Sequence, residues 1–277
     1  MADKDNPLQM RLVYSLPGIQ LARVRRDEVY KTVGDLALAY DVYYPPDFVE
    51  GEQRPCVVFI HGEGPAEILK NAKDWGQYVS WGQLAAASGL IGVTFNHRSS
   101  EWFTNLPEVA SDVDDLMSHV RQNAAGLGID PERIGVWVCS GGTPIGLRMV
   151  LKEGAGRVRC CGVYYGRTNL EMMRAKIKPE ATDELLREFS PELILRTMDG
   201  KDVPPLFIAR AGKDGLPLVN ETLDRFAALA IEKNVTLEFM NHPDGEHGFD
   251  FLNDDERSRE IIGRTLGFLS SHLLPGD

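Results

Sequence analysis

The order of apolar and polar residues along the chain changes period as it runs. Residues 28–33 and 36–44 alternate between the two classes, as half-buried strands do, and Gly34-Asp35 between them suits a tight turn. This pattern predicts an antiparallel hairpin at a sheet edge, ended by Pro45-Pro46. Short continuous apolar runs then take turns with stretches of helical period. The runs fall at 56–60, 91–95, 134–139, 157–165, 206–211 and 236–240. The helical stretches fall at 74–87, 108–125, 143–152, 220–233 and 254–273, and in the second of them Val109, Val113, Leu116, Val120 and Ala124 share one face. Apolar strands alternating with helices imply an α/β class: a mostly parallel central sheet, helices on both faces, joined by right-handed crossovers. The opening residues, up to about 20, are mixed in character and are expected either to wrap the domain or to be partly mobile.

One segment breaks the alternation. Residues 166–205 separate two strands by more than an ordinary connection and carry helical patterns at 170–177 and 182–189. It is read as a short helical cap-like insertion within a single domain spanning 1–277, with Met172, Met173, Ile177, Leu185, Leu186, Leu193, Ile194 and Leu195 expected to bury against the mouth of a site.

Composition narrows the function classes. The chain has 277 residues, 43% hydrophobic and 26% charged, the balance of a globular protein that needs no disulfide or metal to hold its core. A formal net charge of −11 disfavours binding to a phosphate backbone, so no nucleic-acid partner is expected. Cys56, Cys139, Cys160 and Cys161 all lie in apolar runs, and adjacent Cys160 and Cys161 should face opposite sides of a strand, so a reducing, cytoplasmic setting fits best. Residues 1–7 are charged and lack an apolar stretch, and no run reaches membrane-spanning length, so neither a signal peptide nor a membrane partner is expected.

The chemistry concentrates at strand ends. The run Ile134-Gly135-Val136-Trp137-Val138-Cys139-Ser140-Gly141-Gly142-Thr143 passes from an apolar strand through two glycines into a helix. A nucleophilic serine needs such a turn: it lifts Oγ clear of the backbone at the carboxyl end of the sheet, where the next helix presents its N-terminal amides. Together with Phe95-Asn96-His97-Arg98 and Leu127-Gly128-Ile129-Asp130-Pro131-Glu132-Arg133-Ile134, this stretch resembles the carboxylesterase and dienelactone-hydrolase-like branch of the α/β-hydrolases, and the resemblance extends over roughly residues 28–272.

The resemblance implies an α/β-hydrolase fold and a triad in the order nucleophile, acid, base. Ser140 falls at the tip of the turn. Cys139 is the rival nucleophile, but centring the motif on it would place Trp137 where a small residue is wanted, and it reads as a small buried hydrophobe. The motif departs from G-x-S-x-G at Val138, whose β-branch crowds the elbow. The acid is Asp214, after the apolar run ending at Ala211-Gly212-Lys213, and the base is His247, in Gly245-Glu246-His247-Gly248-Phe249. His242, directly off the strand, reads as structural.

His61-Gly62-Glu63-Gly64 resembles the family's oxyanion loop, with the amides of Glu63 or Gly64 acting together with that of Gly141. Glu63 stands where the family has glycine, so its carboxylate must turn away from the oxyanion. Trp75, Trp81, Phe103 and Phe249 are candidate pocket walls, with helix-to-sheet packing the equal alternative for the tryptophans. Asp244, Glu246 and Asp250 beside two histidines match no common ligand spacing, so no metal is expected, and no organic cofactor is implied.

The expected activity is hydrolysis of small carboxylic esters, with short acyl chains preferred, through an acyl-enzyme. Lactones, thioesters or small peptides on the same triad are alternatives, as is a catalytically silent member of the fold that binds a ligand; a homodimer is left open.

Overall fold

A computed structural model describes residue 6 and residues 9–274. The charged residues 1–7 read above as lacking a signal sequence lie, residue 6 apart, outside the described residues.

The sheet has eight strands: β1 (Arg23–Val33), β2 (Leu36–Tyr44), β3 (Arg54–Ile60), β4 (Ile91–Phe95), β5 (Ile129–Cys139), β6 (Cys160–Tyr164), β7 (Leu206–Ala211) and β8 (Leu237–His242). Their spatial order is β1-β2-β4-β3-β5-β6-β7-β8. β1 and β2 form the expected antiparallel edge hairpin, β2 meets β4 antiparallel, and every pairing from β4 to β8 is parallel. Five longer helices flank the sheet: α1 (Gly76–Ala87), α2 (Leu106–Gln122), α3 (Thr143–Glu153), α4 (Val219–Glu232) and α5 (Glu256–Leu273).

The period-2 geometry of the strands divides the core in two. Val58, Ile60, Val136, Val138, Cys161, Val163 and Ile208 face α2, α3 and α4. Val57, Phe59, Trp137, Cys139, Cys160, Tyr164 and Phe207 face α1 and α5. Cys160 and Cys161 thus point to opposite sides, and all four cysteines are free and buried. The stretch before β1 lies across the α1/α5 face, where the Val13 N–H donates to the Asp250 carbonyl (2.9 Å) and Leu12 is buried.

Several boundaries differ from the sequence expectation. β5 begins at Ile129 because the Asp130–Arg133 stretch, polar in sequence, still runs alongside β3: Ile129 pairs with Arg54 before the register shifts at Cys56. The stretch expected as strand from 157 begins only at Cys160, since Arg157 and Val158 close a turn onto the Gly154 carbonyl.

The segment 166–205 holds two short helices, Asp183–Glu188 and Pro191–Thr197, and two 3-10 turns, Glu171–Lys176 and Gly200–Asp202. Its apolar residues Met173, Ile177, Leu186, Phe189 and Leu195 join the same core cluster as α2, α3 and α4. Burial at the mouth of a site is therefore not what these side chains use; the core between α3 and α4 takes them instead. Among the described residues no helix is long and apolar enough to cross a membrane.

Candidate active site

The carboxyl ends of β3, β5, β6, β7 and β8 converge on Ser140. β5 runs straight into a 3-10 turn, Ser140–Gly142, and then α3. Ser140 has φ +50°, a left-handed conformation that costs a non-glycine residue of order 1–2 kcal/mol and is held by its surroundings. The neighbours must be small. A Cβ on Gly142 would come within 2.1 Å of the His61 carbonyl oxygen, and one on Gly141 within 2.3 Å of Glu63 Cβ.

Val138, at the position where the family pattern has glycine, is accommodated from the other side. A Cβ on Gly146, one turn into α3, would meet Val138 Cγ1 at 3.2 Å and Ile60 Cδ1 at 2.8 Å. The close approach of strand and helix thus depends on a helix glycine in place of the strand glycine.

Ser140 Oγ lies 2.7 Å from His247 Nε2, and His247 Nδ1 lies 2.6 Å from Asp214 Oδ2. A carboxylate only accepts, so Nδ1 carries the proton and Nε2 is left to accept from the serine hydroxyl. Asp214 follows β7 and its side chain is fully buried; its second oxygen accepts from the Leu216 N–H (2.9 Å). His247 follows β8 and is 23% exposed, open enough to meet a substrate. The two loops are tied to each other: Gly212 N–H donates to the His242 carbonyl (2.8 Å) and Lys213 N–H to that of Gly245 (2.9 Å).

His242 is turned elsewhere. It is buried, with Nε2 3.1 Å from Asp255 Oδ1 and 3.0 Å from Ser258 Oγ, which fits its reading as structural. His119 and His272, both on helices, are half-buried, the first against the Tyr40 hydroxyl (3.0 Å) and the second against the Phe268 ring.

Cys139 points to the opposite face of β5 from Val138. Burial pushes its thiol up to about 12, and its sulfur meets the Tyr78 hydroxyl at 3.4 Å. A thiol so placed stays protonated and poorly nucleophilic.

The loop after β3 lies against the elbow. Glu63 N is 3.2 Å from where a Cβ on Gly141 would stand, whereas Gly64 faces Leu69. Of the two loop amides, that of Glu63 therefore lies nearer the elbow. The Glu63 carboxylate is drawn away by Ser99 Oγ (2.8 Å), Ser100 N (3.1 Å) and Ser100 Oγ (2.5 Å), all of them donors.

The loop is held from behind as well. Gly62 N–H donates to Tyr78 (3.0 Å). His61 stacks on His97 with centroids 3.5 Å apart, accepts the His97 N–H on Nε2 (3.2 Å), and so donates from Nδ1 to the Gly62 carbonyl (2.8 Å). Burial moves both histidines below the usual imidazole range.

The expected pocket walls are mostly not walls. Trp81 is fully buried among Phe59, Trp137 and Tyr164, and Phe249 is fully buried against Tyr164 and Tyr165. Phe103 is 2% exposed and lies under the Arg167 guanidinium, with 6.0 Å between Cζ and the ring centroid. Only Trp75 of the four is half-buried. A cleft of about 420 Å³ beside the loop, lined in part by Leu38, Leu69, His97 and Arg98, does not include Ser140, Asp214 or His247.

Tyr165 and Gln77, which the sequence did not single out, meet Asp250 and Trp81 here. The Tyr165 ring packs on His247 (4.7 Å), and its hydroxyl donates to Asp250 Oδ1 (2.7 Å). Gln77 Nε2 (3.0 Å) and Trp81 Nε1 (3.1 Å) donate to the other Asp250 oxygen. The signal for Tyr165 was position: Tyr164-Tyr165-Gly166-Arg167 ends a parallel strand, and such ends border the sites of open α/β sheets. Among the described residues no cluster of three or more His, Cys, Asp or Glu side chains is placed to hold a metal.

A model of the BD-FAE family matches residues 40–158, from β2 to just past α3. Non-reducing polyketide synthase atr1 of Stereocaulon alpinum is 26% identical over 167 residues, 55% of this chain, and the match spans 6% of that protein's length. Among solved structures, the native esterase Est2 of the planctomycete Thermogutta terrifontis superposes with a TM-score of 0.73 at 20% identity, covering 94% of this chain and 96% of that one. The propionate-bound form gives 0.71 at 20% identity over 94% and 98%, and the form phosphorylated by paraoxon 0.68 at 20% identity over 95% and 98%. At this level of identity the likeness establishes architecture, and with the strand order and the turn at Ser140 it makes the chain a member of the α/β-hydrolase fold.

Proposed function

We propose that the protein is a serine hydrolase of carboxylic esters. The observation that carries this reading is the unbroken chain of contacts from Ser140 Oγ to His247 Nε2 (2.7 Å) and from His247 Nδ1 to Asp214 Oδ2 (2.6 Å), with Ser140 at positive φ. Ser140 attacks the ester carbonyl while His247 takes its proton. Asp214 holds the ring in the required tautomer and stabilises the imidazolium. The tetrahedral oxyanion is received by the amides of Glu63 and Gly141. His247 then gives its proton to the departing alcohol. Water, deprotonated by the same ring, releases the acid from the acyl-enzyme.

Val138 and Glu63 are the two features that favour a silent member of the fold. The Glu63 carboxylate is held by Ser99 and Ser100, so it leaves the amide side to the oxyanion. Short acyl chains of about two to four carbons are the preferred substrates in this reading; Thermogutta terrifontis Est2 has been solved with propionate and with butyrate bound.

The test is labelling with a fluorophosphonate together with hydrolysis of p-nitrophenyl butyrate. Wild type should label and turn over. Ser140→Ala should do neither, with a loss of at least about 10³-fold in kcat. Cys139→Ala should keep most of both. Turnover in the Ser140 variant at the wild-type rate would remove the assignment.

A further inference from the structure

Arg167 follows β6 directly and is 7% exposed. Its backbone N–H reaches the Ser140 carbonyl (3.5 Å), which puts it beside the elbow. Its guanidinium lies over the Phe103 ring, and Nε is sealed from solvent without an acceptor. Among the described residues the side chain makes no ion pair and no hydrogen bond. Other arginines of the molecule are paired, as Arg98 is with Asp112, Arg121 with Glu153 and Arg148 with Glu188.

The carboxylate whose charge acts on Arg167 is that of Asp214. Asp214 is already committed, one oxygen to His247 and the other to the Leu216 amide. A buried cation without a partner is costly, and such groups are rarely left so unless something outside the chain completes them.

A planar guanidinium fork matches a carboxylate, which it can hold with two parallel hydrogen bonds. A single cation close to the Asp214 charge suits one negative charge better than the nearly two of a phosphate monoester. We infer that Arg167 receives a carboxylate of the substrate, so that the preferred substrates are esters carrying a free carboxylate on a short acid or alcohol chain. This rests on the reading of the same site as an esterase. Phe103 then acts as the floor beneath the guanidinium, fixing its plane.

Two matched pairs test the inference. p-Nitrophenyl hemisuccinate against p-nitrophenyl butyrate places the carboxylate on the acyl side; 4-acetoxybenzoate against 4-acetoxybenzamide places it on the alcohol side. Wild type should favour the carboxylate member of at least one pair by roughly 10- to 100-fold in kcat/KM, the range of a hydrogen bond between charged groups. Arg167→Gln should lower that ratio at least about 10-fold, and Arg167→Lys should restore part of it; a ratio cancels any loss common to both esters. Titration calorimetry of succinate into Ser140→Ala, with and without Arg167→Gln, reads binding apart from turnover, and binding should need Arg167. Neutral esters turned over with no preference in either pair, or a preference untouched by Arg167→Gln, would overturn the inference. No turnover of any ester alongside Arg167-dependent succinate binding would instead overturn the esterase reading and leave the carboxylate site standing.

Discussion

The residue that most separates packing from chemistry is Asp250. Sequence placed it beside two histidines as a possible metal ligand and set that reading aside; in the fold it is fully buried and accepts from Tyr165, Gln77 and Trp81. Burial raises its pKa above the ordinary carboxylate value, and the three donors oppose that shift. The folded protein therefore keeps a proton on Asp250 at pH values where the unfolded chain, with a pKa of about 3.9, has released it. Bound protons are then more numerous in the native state, so this group's contribution to stability falls as pH rises through that window. Asp250→Asn cannot ionise and can still serve the donors with its carbonyl oxygen while its amide faces Tyr165. Its Tm should therefore gain on wild type as pH is raised from 4 toward 7. A difference in Tm that stays constant across that range would show that Asp250 does not titrate there. At the same scale, His247→Ala should remove ester turnover while His242→Ala should lower it far less, its cost appearing mainly in Tm through Asp255 and Ser258. The reverse ranking would move the base to His242.

At the scale of the element, the turn at Ser140 shows what sequence can and cannot convey. Its location was legible because an apolar strand, two glycines and a helical stretch follow one another without interruption, and that order has few structural solutions. What made Val138 tolerable was not legible, since the compensating Gly146 looks in sequence like any helix glycine. Only the three-dimensional approach of Ile60 and Val138 gives it meaning. Gly146→Ala should cost about 1–3 kcal/mol by overpacking. In a Val138→Ala background the same change should cost less, by at least about 0.5 kcal/mol, because one of the two crowding methyls is gone while that of Ile60 stays. Chemical denaturation of the four proteins of this cycle measures both figures, and strict additivity would mean that the two residues do not share the space. Similarly, Ser99 and Ser100 carried no signal, because a serine pair after a strand is ordinary; their value lies in reaching back across the sheet to Glu63.

Across the whole molecule, period alone delivered the edge hairpin, the parallel sheet and the two helical layers, because each strand's two faces must be covered and only a few topologies do so. Large aromatic residues near a site are also what a two-faced core requires: Phe249 went to the core, and of the two readings of Trp81 the fold takes helix-to-sheet packing. The segment 166–205 bears on substrate size through how it is anchored. Leu186, Phe189 and Leu195 are in the main core, Thr168 bonds to Thr222 of α4, and Glu192 pairs with Arg225 of α4. Lifting this segment as a lid would expose that core and break its bonds to α4, and the apolar burial alone makes that a change costing several kcal/mol. A site bordered by a fixed segment should not adapt to a long acyl chain or respond to a lipid surface. The expected outcome is a kcat/KM for p-nitrophenyl butyrate at least about tenfold above that for the dodecanoate, roughly 1.4 kcal/mol in transition-state binding. The rate on tributyrin should also show no upward break as the substrate passes its solubility limit. A break at that point, or a dodecanoate turned over as well as the butyrate, would mean that the segment opens despite its anchors.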